Sequence, residues 1–323
     1  MEYRTLPHTG LRVSRLCFGT MTFGKPADQA AGTRMVDMCI DAGINFFDTA
    51  NAYQRGVAEE MLGRALEGKR ERNIVATKVF ARMGDGPEDA GLSRGAIVKA
   101  IEMSLKRLRT DYVDIYYLHQ PDYKVPVEES LEAMDALVRA GKVRYPAHSN
   151  FSSWQATEIL WIAEKRGWAA PFLSQSMYNL LARGLEQEFL PMAARFGTAT
   201  IAYNPLAGGL LTGKYDAAAD IPGGTRFDGN KMYQDRYWHA EDFEAVRELR
   251  EVAREAGRSI VSLALTWMLH HTPIDAVILG ASREEQLAEN LQASAAGPLT
   301  PQVLAACDAV WATLRGHAPV YNR

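Results

Sequence analysis

The repeat that decides the fold lies within residues 74–118, where IVATKV (74–79) and VDIYYL (113–118) flank SRGAIVKAIEMSLKRLR (93–109). Both short runs are apolar and rich in β-branched or aromatic residues, which predicts buried strands. The segment between them is long enough for a helix, and Ser93 is a residue type favoured at the N-cap. A strand, a helix and a second strand in this order predict a β/α/β unit with parallel strands.

The same alternation extends outward over most of the chain. It predicts further strands at 16–18, 44–47, 143–147, 172–175, 198–202 and 276–279, and further helices at 28–42, 58–67, 127–140, 184–196, 259–270 and 282–293, with another helix capped by Ser152 or Ser153. About eight β/α units are the count of a (β/α)8 TIM barrel, an α/β fold. A doubly wound sheet shares the alternation, but no Gly-x-Gly-x-x-Gly follows the first strand, which weakens that alternative.

Three segments extend this repeat. An N-terminal β-hairpin is predicted to turn at Thr9-Gly10, and a C-terminal helix at about 301–315, followed by a tail to Arg323, comes after the barrel is complete. Residues 216–240, after the seventh strand, lack periodicity and contain Pro222 and several glycines. A long loop of this kind is more often functional than accidental. No low-complexity linker interrupts the chain, so residues 1–323 are predicted to form a single domain.

Composition narrows the classes of partner. The net charge is -3, with 47% hydrophobic and 23% charged residues, so a nucleic acid is not the expected partner. The three cysteines are far apart, which suits a reducing compartment, and no spacing indicates a metal site. No signal peptide or membrane-length apolar run is present. We therefore expect a cytoplasmic protein without a membrane partner; a homo-oligomer stays open.

Polar residues end three successive predicted strands. Asp48 follows the strand at 44–47, Lys78 lies near the end of 74–79, and His119 follows 113–118. Tyr53 lies in the loop after Asp48. Because functional groups of a TIM barrel lie at the carboxyl ends of its strands, these four side chains are expected at one mouth of the barrel.

Together these groups can donate a proton. A phenol has a pKa of about 10, and a nearby ammonium such as that of Lys78 favours its phenolate. A carboxylate beyond the lysine would hold it in place, and a histidine can hydrogen-bond a substrate oxygen. Each residue alone has a simpler explanation: Asp48 could be a helix cap, Lys78 solvated and His119 structural. Their occurrence at three successive strand ends favours the chemical interpretation.

The chain resembles the aldo-keto reductase superfamily, including its potassium-channel β-subunit-like branch, over nearly its whole length. The motifs are in family order: FDTA-x-x-Y (47–53), TK (77–78), YLH-x-P (117–121), SNF (149–151), Q-x-x-YN (175–179), NPLAGGLLTGKY (204–215) and GAS-x-x-EQL-x-EN (280–290). The resemblance implies hydride transfer between NADPH/NADP+ and an aldehyde, ketone or keto-sugar. It also implies that Tyr53 is the proton donor, that Lys78 and Asp48 tune it, and that His119 orients the carbonyl.

The resemblance also implies the cofactor-binding residues. Those for the nicotinamide half are Thr20, Met21, Asp48, Ser149, Asn150, Gln175 and the stacking Tyr203. Those for the pyrophosphate are Asn204, Pro205, Leu206, Ala207 and Gly208, with Lys214 and Arg226 adding charge. Those for the adenosine half are Gly280, Ser282, Arg283, Gln286, Glu289 and Asn290.

Residues Ser282-Arg283-Glu284-Glu285 have the pattern of a capping box. A helix that begins there offers free backbone N–H groups and its positive dipole end to an anion. By itself the pattern predicts only a helix start. In the context of the family it suits the adenosine 2′-phosphate, so NADPH is expected in preference to NADH.

The substrate pocket is predicted less sharply. Its candidates are Met21, Phe23, Tyr53, Phe80, His119, Gln120, Asp122 and Phe151, together with the 216–240 loop and the C-terminal tail. Phe23 and Phe80 are also compatible with core packing. Met21 replaces the tryptophan that the family often carries after the first strand. The mixture of aromatic and polar side chains permits a carbonyl compound or a sugar.

One strand departs from the family pattern. The family usually has glycine and a small apolar residue before the Ser-Asn pair, whereas this chain has Ala147 and His148, preceded by Pro146. Proline removes a ladder N–H, so we expect this strand to bend or to begin late. His148 could face the core, the solvent or the site.

Two other functions fit parts of the pattern. Potassium-channel β subunits share the expected fold and cofactor site but act as regulatory partners; a short segment before the barrel, together with His119 and Tyr53, favours an enzyme. A non-redox barrel enzyme could use Lys78 to form a Schiff base, but Tyr203 and the motif at 280–290 argue against it.

Overall fold

The computed structural model describes residues 1–215 and 220–317. The chain begins with an antiparallel hairpin of β1 (Tyr3–Thr5) and β2 (Arg12–Ser14), in which Tyr3 lies opposite Ser14. This confirms the predicted N-terminal hairpin. Residues 216–219 and 318–323, which include the start of the predicted functional loop and most of the tail, lie outside the described residues.

The next eight strands form a closed barrel, which confirms the (β/α)8 fold. They are β3 (Leu16–Gly19), β4 (Phe46–Asp48), β5 (Ile74–Val79), β6 (Val113–Leu118), β7 (Val143–Ser149), β8 (Leu173–Met177), β9 (Ala199–Tyr203) and β10 (Ala276–Gly280). The strand pairs are parallel, and β10 pairs with β3 to close the barrel. β5 and β6 have the bounds that the sequence predicts.

The described helices follow the strands in the expected order. They are α1 (Gln29–Asp41), α2 (Val57–Ala65), α3 (Arg94–Leu108), α4 (Val127–Arg139), α5 (Ser153–Arg166), α6 (Phe189–Phe196), α7 (Lys231–Tyr237), α8 (Ala240–Glu255), α9 (Ile260–His271), α10 (Glu284–Ser294) and α11 (Pro301–Arg315). Ser93 and Ser259 cap α3 and α9 through their side chains, as predicted. Ser152 precedes α5, and its N–H donates to Gln155 Oε1 over 3.0 Å.

The segment after β9 contains more helix than the sequence analysis predicts. α7 lies inside the 216–240 region, and α8 follows it directly. α8 was open to prediction, because its buried residues Ala245, Val246, Leu249 and Ala253 recur at helical spacing. α7 is only seven residues long, too short for a clear period.

Ser282 lies two residues before α10, which begins at Glu284, and its hydrogen bonds go to Gln286 rather than to Glu285. The Ser282 N–H donates to Gln286 Oε1 over 3.0 Å, and the Ser282 hydroxyl lies 2.8 Å from the same oxygen. The capping box predicted from Ser282-Arg283-Glu284-Glu285 is therefore wrong. Glu285 is exposed and lies 3.9 Å from the Arg283 guanidinium.

Strand β7 is continuous through its proline. It begins at Val143 and pairs with β6 as far as His148, with Pro146 opposite Tyr116. The expectation of a late start is therefore wrong. β7 pairs with β8 only from His148 onward, so Pro146 has no ladder bond on that side. This is a setting in which a strand tolerates a missing N–H.

The chain forms two compact units. The first comprises Met1–Ser176, Glu188–Ile201 and Asp275–Ala288; the second comprises Met177–Gln187, Ala202–Ile274 and the chain from Glu289 onward. Large buried residues of the first unit include Phe18, Phe46 and Tyr116, and those of the second include Phe227 and Tyr237. The single-domain assignment stays a prediction. Among the described residues, no helix combines the length and the apolar character that a membrane span requires.

Candidate active site

Four predicted side chains come from adjacent strand ends of the first unit. Asp48 ends β4, Lys78 lies one residue before the end of β5, and His119 directly follows β6. Tyr53 lies in the loop after β4, directly before a turn in which Gln54 and Arg55 have left-handed φ values of 47° and 53°. The β4 and β5 strands are in parallel register, with Asp48 opposite Ala76.

Lys78 is at the centre of this group. Its side chain is fully buried, and its ammonium donates to Asp48 Oδ1. The same nitrogen donates to the Thr49 carbonyl oxygen over 2.8 Å and lies 3.4 Å from the Tyr53 hydroxyl. An ordered chain therefore runs from Asp48 through Lys78 to Tyr53.

Burial and pairing act in opposite directions on the two charges. Burial raises the pKa of Asp48, although Lys78 and a hydrogen bond from Gln175 oppose that shift. Burial alone would lower the pKa of Lys78, but Asp48 and Tyr53 outweigh it and the net shift is upward. Lys78 is therefore held as an ammonium beside the phenol at neutral pH. A charged lysine cannot act as the nucleophile of a Schiff base, which disfavours that alternative.

His119 faces Tyr53 as a neutral ring. The two ring centroids are 6.3 Å apart in an edge-on arrangement. Burial, and secondly the Lys78 charge, lower the pKa of His119 to about 3. A neutral imidazole can donate a hydrogen bond to a carbonyl oxygen, but it does not carry the additional proton of an imidazolium at neutral pH.

The residues assigned to the nicotinamide carboxamide lie beside these four. Ser149 is buried, and the Asn150 amide donates to the Ser149 hydroxyl over 3.0 Å and to the His119 carbonyl oxygen over 2.9 Å. Asn150 has a left-handed φ of 61°, a conformation that asparagine tolerates better than most residues. Thr20 is buried, and its N–H donates to the Asp48 carbonyl oxygen over 2.9 Å.

Gln175 has a contact that the sequence analysis missed. Its Nε2 donates to Asp48 Oδ2 over 2.8 Å, and both side chains are buried. Asp48 thus accepts from Lys78 at one oxygen and from Gln175 at the other. The sequence carries no signal for this pair, because the two residues are 127 positions apart.

The loop assigned to the pyrophosphate belongs to the second unit. Left-handed φ values occur at Asn204 (62°), Ala207 (49°), Gly208 (70°) and Gly209 (104°). A Cβ at Gly208 would lie 2.8 Å from the Tyr233 ring. Successive backbone N–H groups in turns of this kind can form anion-binding concavities. Tyr203, Pro205, Leu206, Lys214 and Arg226 also belong to this unit, and Arg226 donates to the Tyr233 hydroxyl over 3.3 Å.

The residues assigned to the adenosine half lie shortly before α10 or within it. Gly280 and Arg283 are exposed and Ser282 is half-buried in the first unit; in the second, Glu289 is exposed and Asn290 is buried. The Arg283 side chain is 68% exposed, so it is accessible to an anion. Gln286 is engaged with Ser282.

The residues predicted to line the substrate pocket differ in burial and in their contacts. Phe23 is fully buried against Phe18, with ring centroids 5.9 Å apart, which does not fit a direct substrate contact. Met21, Phe80 and Asp122 are half-buried, Gln120 is exposed and Phe151 is buried. The Asp122 carboxylate is used within the fold, since it accepts from the Leu92 and Lys124 N–H groups.

Asp122 and Phe151 line a cavity of about 280 Å³ near the start of α5, whose rim includes the exposed Tyr123 and Trp154. Neither Tyr53 nor His119 lines this cavity. The assignment of these residues to a substrate pocket stays a prediction.

His148 lies in the hydrophobic core. It is fully buried, its ring packs against Phe151 and Phe189, and neither ring nitrogen has a hydrogen-bond partner among the described residues. Of the three positions left open by the sequence, the core is therefore the one that His148 occupies. Burial lowers the pKa of His148 to about 3.

We expect His148→Leu to make the free energy of unfolding depend less on pH below neutrality. The unfolded chain binds a proton at this position below about pH 6.5, whereas the folded protein does so only near pH 3. Stability should therefore fall as the pH drops below 6.5. Between pH 7 and 5 the variant should lose about 2 kcal/mol less free energy of unfolding than the wild type, measured by urea denaturation.

The control for this prediction is His317→Leu, which removes an exposed histidine and should follow the wild-type curve. At pH 7.5 the His148→Leu variant should be at least as stable as the wild type, because it removes two buried polar atoms that lack partners within the described part of the chain. Parallel curves for His148→Leu and wild type would contradict the assignment of a neutral, buried ring.

Comparison with known proteins gives matches over nearly the whole chain. The sequence model of the Aldo/keto reductase family matches residues 15–312. A probable voltage-gated potassium channel subunit beta from Oryza sativa subsp. japonica is 39% identical over 318 residues, which covers 96% of this chain and 96% of the relative.

Two further relatives carry the names of enzymes. Human aflatoxin B1 aldehyde reductase member 2 is 39% identical over 323 residues, covering 94% of this chain and 88% of the relative. An uncharacterized oxidoreductase from Bacillus subtilis is 40% identical over 304 residues, covering 91% of each chain. The relatives therefore include both a named channel subunit and named oxidoreductases.

Proposed function

The chain belongs to the aldo/keto reductase family, and from this premise we propose that it is an NADPH-dependent oxidoreductase that interconverts a carbonyl compound and its alcohol. The substrate class is an aldehyde, a ketone or a keto-sugar, and Tyr53 is the proton donor. The observation that carries this proposal is the buried chain from Asp48 through Lys78 to Tyr53, with a neutral His119 beside the phenol.

The residues of both units fit NADPH by their chemistry. The first unit offers Ser149 and Asn150 for the carboxamide, and the exposed Arg283 at the start of α10 for the 2′-phosphate. The second unit offers Tyr203 for stacking and the turns at 204–209 for the pyrophosphate. When bound, the nicotinamide would supply the hydride.

The chain's own residues would donate the proton and stabilise the charge that its transfer leaves behind. His119 would donate a hydrogen bond to the carbonyl oxygen and hold it near Tyr53. As negative charge develops on that oxygen, the Tyr53 hydroxyl would transfer its proton to it. Lys78 would stabilise the resulting phenolate across 3.4 Å, and Asp48 would keep Lys78 charged and in place.

The test is a screen of NADPH oxidation against aldehydes, ketones and keto-sugars, with NADP+ reduction measured against alcohols and sugars. We expect turnover of at least one carbonyl compound, with retention of activity after dialysis against a metal chelator. NADPH binding without turnover of any compound in either direction would contradict the enzymatic proposal.

A regulatory subunit is the second candidate, and the specific observation in its favour is the named channel subunits among the relatives. In that case NADPH would bind without efficient turnover, and binding of the cofactor would change the affinity for a membrane channel. The geometry at Tyr53 and His119 gives no reason for such a loss of turnover, so we place the enzyme first.

We expect Arg283→Ala to weaken NADPH binding roughly tenfold or more and to leave NADH binding nearly unchanged. The two cofactors differ by the 2′-phosphate, and a charge-assisted hydrogen bond contributes roughly 1.5–3 kcal/mol, where about 1.4 kcal/mol is tenfold in affinity. The acidic neighbour of Arg283 is the exposed Glu285, which at 3.9 Å is too distant for a strong ion pair. Isothermal titration of both cofactors measures the effect.

The matched control is Arg247→Ala, which removes an arginine of similar exposure on α8. It should bind both cofactors like the wild type. An equal loss of affinity for NADPH and NADH in Arg283→Ala, or no loss for either, would show that this arginine does not recognise the phosphate.

A further inference from the structure

Asp48 is held from two sides inside the first unit. Its Oδ1 accepts from the Lys78 ammonium, and its Oδ2 accepts from Gln175 Nε2 over 2.8 Å. All three side chains are buried. Since removal of one partner from a buried charge leaves the charge uncompensated, each donor contributes to keeping this carboxylate ionised and in position.

The contact also fixes which way the Gln175 amide points. An ionised carboxylate only accepts hydrogen bonds, so the amide must present its NH2 group to Asp48. The oxygen of the amide then points away from Asp48. Gln175 therefore has an acceptor at its other end, and a primary amide such as the nicotinamide carboxamide can donate to an acceptor of this kind.

The other titratable groups around Asp48 are uncharged at neutral pH, so none of them forms an ion pair with it. Burial raises the pKa of Cys17 and of Tyr117, and Asp48 adds to both shifts. Lys78 opposes the shift of Cys17 and a hydrogen bond with Gln175 opposes that of Tyr117, but the net shifts are upward and both groups stay neutral. His119 is neutral as well, because burial and Lys78 lower its pKa to about 3. Lys78 is thus the charged partner of Asp48 in this group, and Gln175 is its neutral one.

We propose that Gln175 is a positioning residue for proton transfer, which orients Asp48, and through Asp48 the Lys78 ammonium at Tyr53, while its opposite end meets the cofactor carboxamide. This inference rests on the proposed function. The expected role of Gln175 is in cofactor binding. The inference adds a direct link between Gln175 and the proton-donating side chains. The Gln175 amide then connects the nicotinamide-binding site with the residues that donate the proton.

The test begins without cofactor or substrate. Carboxyl 13C NMR of the cofactor-free protein, with the Asp48 signal assigned through Asp48→Asn, follows the titration of Asp48. In Gln175→Met the pKa of Asp48 should be higher than in the wild type, because a donor to the ionised form is lost. Ser149→Ala, which changes the carboxamide site without touching Asp48, should titrate like the wild type.

Steady-state kinetics give the second readout. Gln175→Met should lose roughly tenfold or more in kcat, the size expected from one charge-assisted hydrogen bond. Ser149→Ala should change mainly the KM for NADPH. A loss in kcat for Gln175→Met and a change in KM for Ser149→Ala would separate positioning of the proton donor from binding of the cofactor.

Gln175→Glu provides an isosteric variant in case Gln175→Met folds poorly. Two adjacent carboxyl groups share a proton at low pH, and the carboxyl group introduced at position 175, once protonated, can then donate to Asp48. The kcat of this variant should therefore recover as the pH falls, whereas that of Gln175→Met should not.

Three outcomes decide the proposal. A higher Asp48 pKa in Gln175→Met, together with pH-dependent recovery in Gln175→Glu, supports it. An unchanged Asp48 titration in Gln175→Met overturns it, even if cofactor affinity falls. If the wild type shows no hydride transfer with any substrate, the proposed function fails, and the NMR titration of the cofactor-free protein still reports whether Gln175 holds Asp48.

Discussion

Tyr53→Phe is expected to lose about 10²–10⁴-fold in kcat, the usual contribution of a positioned proton donor, while NADPH affinity stays nearly unchanged. The substitution removes only the hydroxyl, which lies 3.4 Å from Lys78, and keeps the ring, whose centroid is 5.1 Å from the same ammonium. Pre-steady-state measurements should place the loss in the chemical step. NADPH titration by fluorescence measures the affinity.

His119 cannot readily replace the missing hydroxyl. Its pKa of about 3 leaves the ring neutral at the pH of the assay, so it has no imidazolium proton to give. The matched control is Tyr112→Phe, because Tyr112 immediately precedes the strand that His119 follows and therefore lies at the opposite end of β6. This control should be fully active. A kcat near wild type in Tyr53→Phe would remove Tyr53 from the mechanism.

Lys78→Met is expected to damage chemistry at least as severely and also to destabilise the protein. Methionine keeps an unbranched apolar stem but lacks the charge that stabilises a phenolate. It also leaves Asp48, which is 2% exposed, without its cation. Removal of one partner from a buried ion pair costs about 3–5 kcal/mol, which urea denaturation should detect.

A double variant separates the two effects of that substitution. Asp48→Asn/Lys78→Met removes both charges, and the amide introduced at position 48 can still hydrogen-bond with Gln175. It should recover much of the lost stability, because replacing both partners costs far less than removing one. It should stay inactive, because no ammonium faces Tyr53. An unchanged kcat and pH–rate profile in Lys78→Met would show that the lysine does not tune the tyrosine.

The sequence predicts the barrel strands well because their signals are local. A strand such as β6 is a short apolar run between polar turns, and Ser93 and Ser259 announce the starts of α3 and α9. A polar residue that directly follows such a run, as His119 does, must lie at the carboxyl end of a strand. The candidate residues at the strand ends are therefore visible in the sequence alone.

Other features depend on partners that are distant in the sequence or on local geometry that the pattern leaves open. Ser282 donates to Gln286 rather than to Glu285, a choice between neighbouring side chains that the local backbone geometry decides. Pro146 is accommodated because β8 pairs with β7 only beyond it. α7 is too short for periodicity to reveal it.

By itself the sequence determined the order of strands and helices, the family and the polar side chains at the strand ends, because periodicity, caps and motif spacing are properties of neighbouring residues. Only the tertiary structure decided that His148 is a neutral core residue, that Phe23 packs against Phe18, and that Gln175 donates to Asp48. The physical reason is that burial and hydrogen bonding depend on what barrel closure brings together. Gln175 and Asp48 are 127 residues apart along the chain and 2.8 Å apart in space.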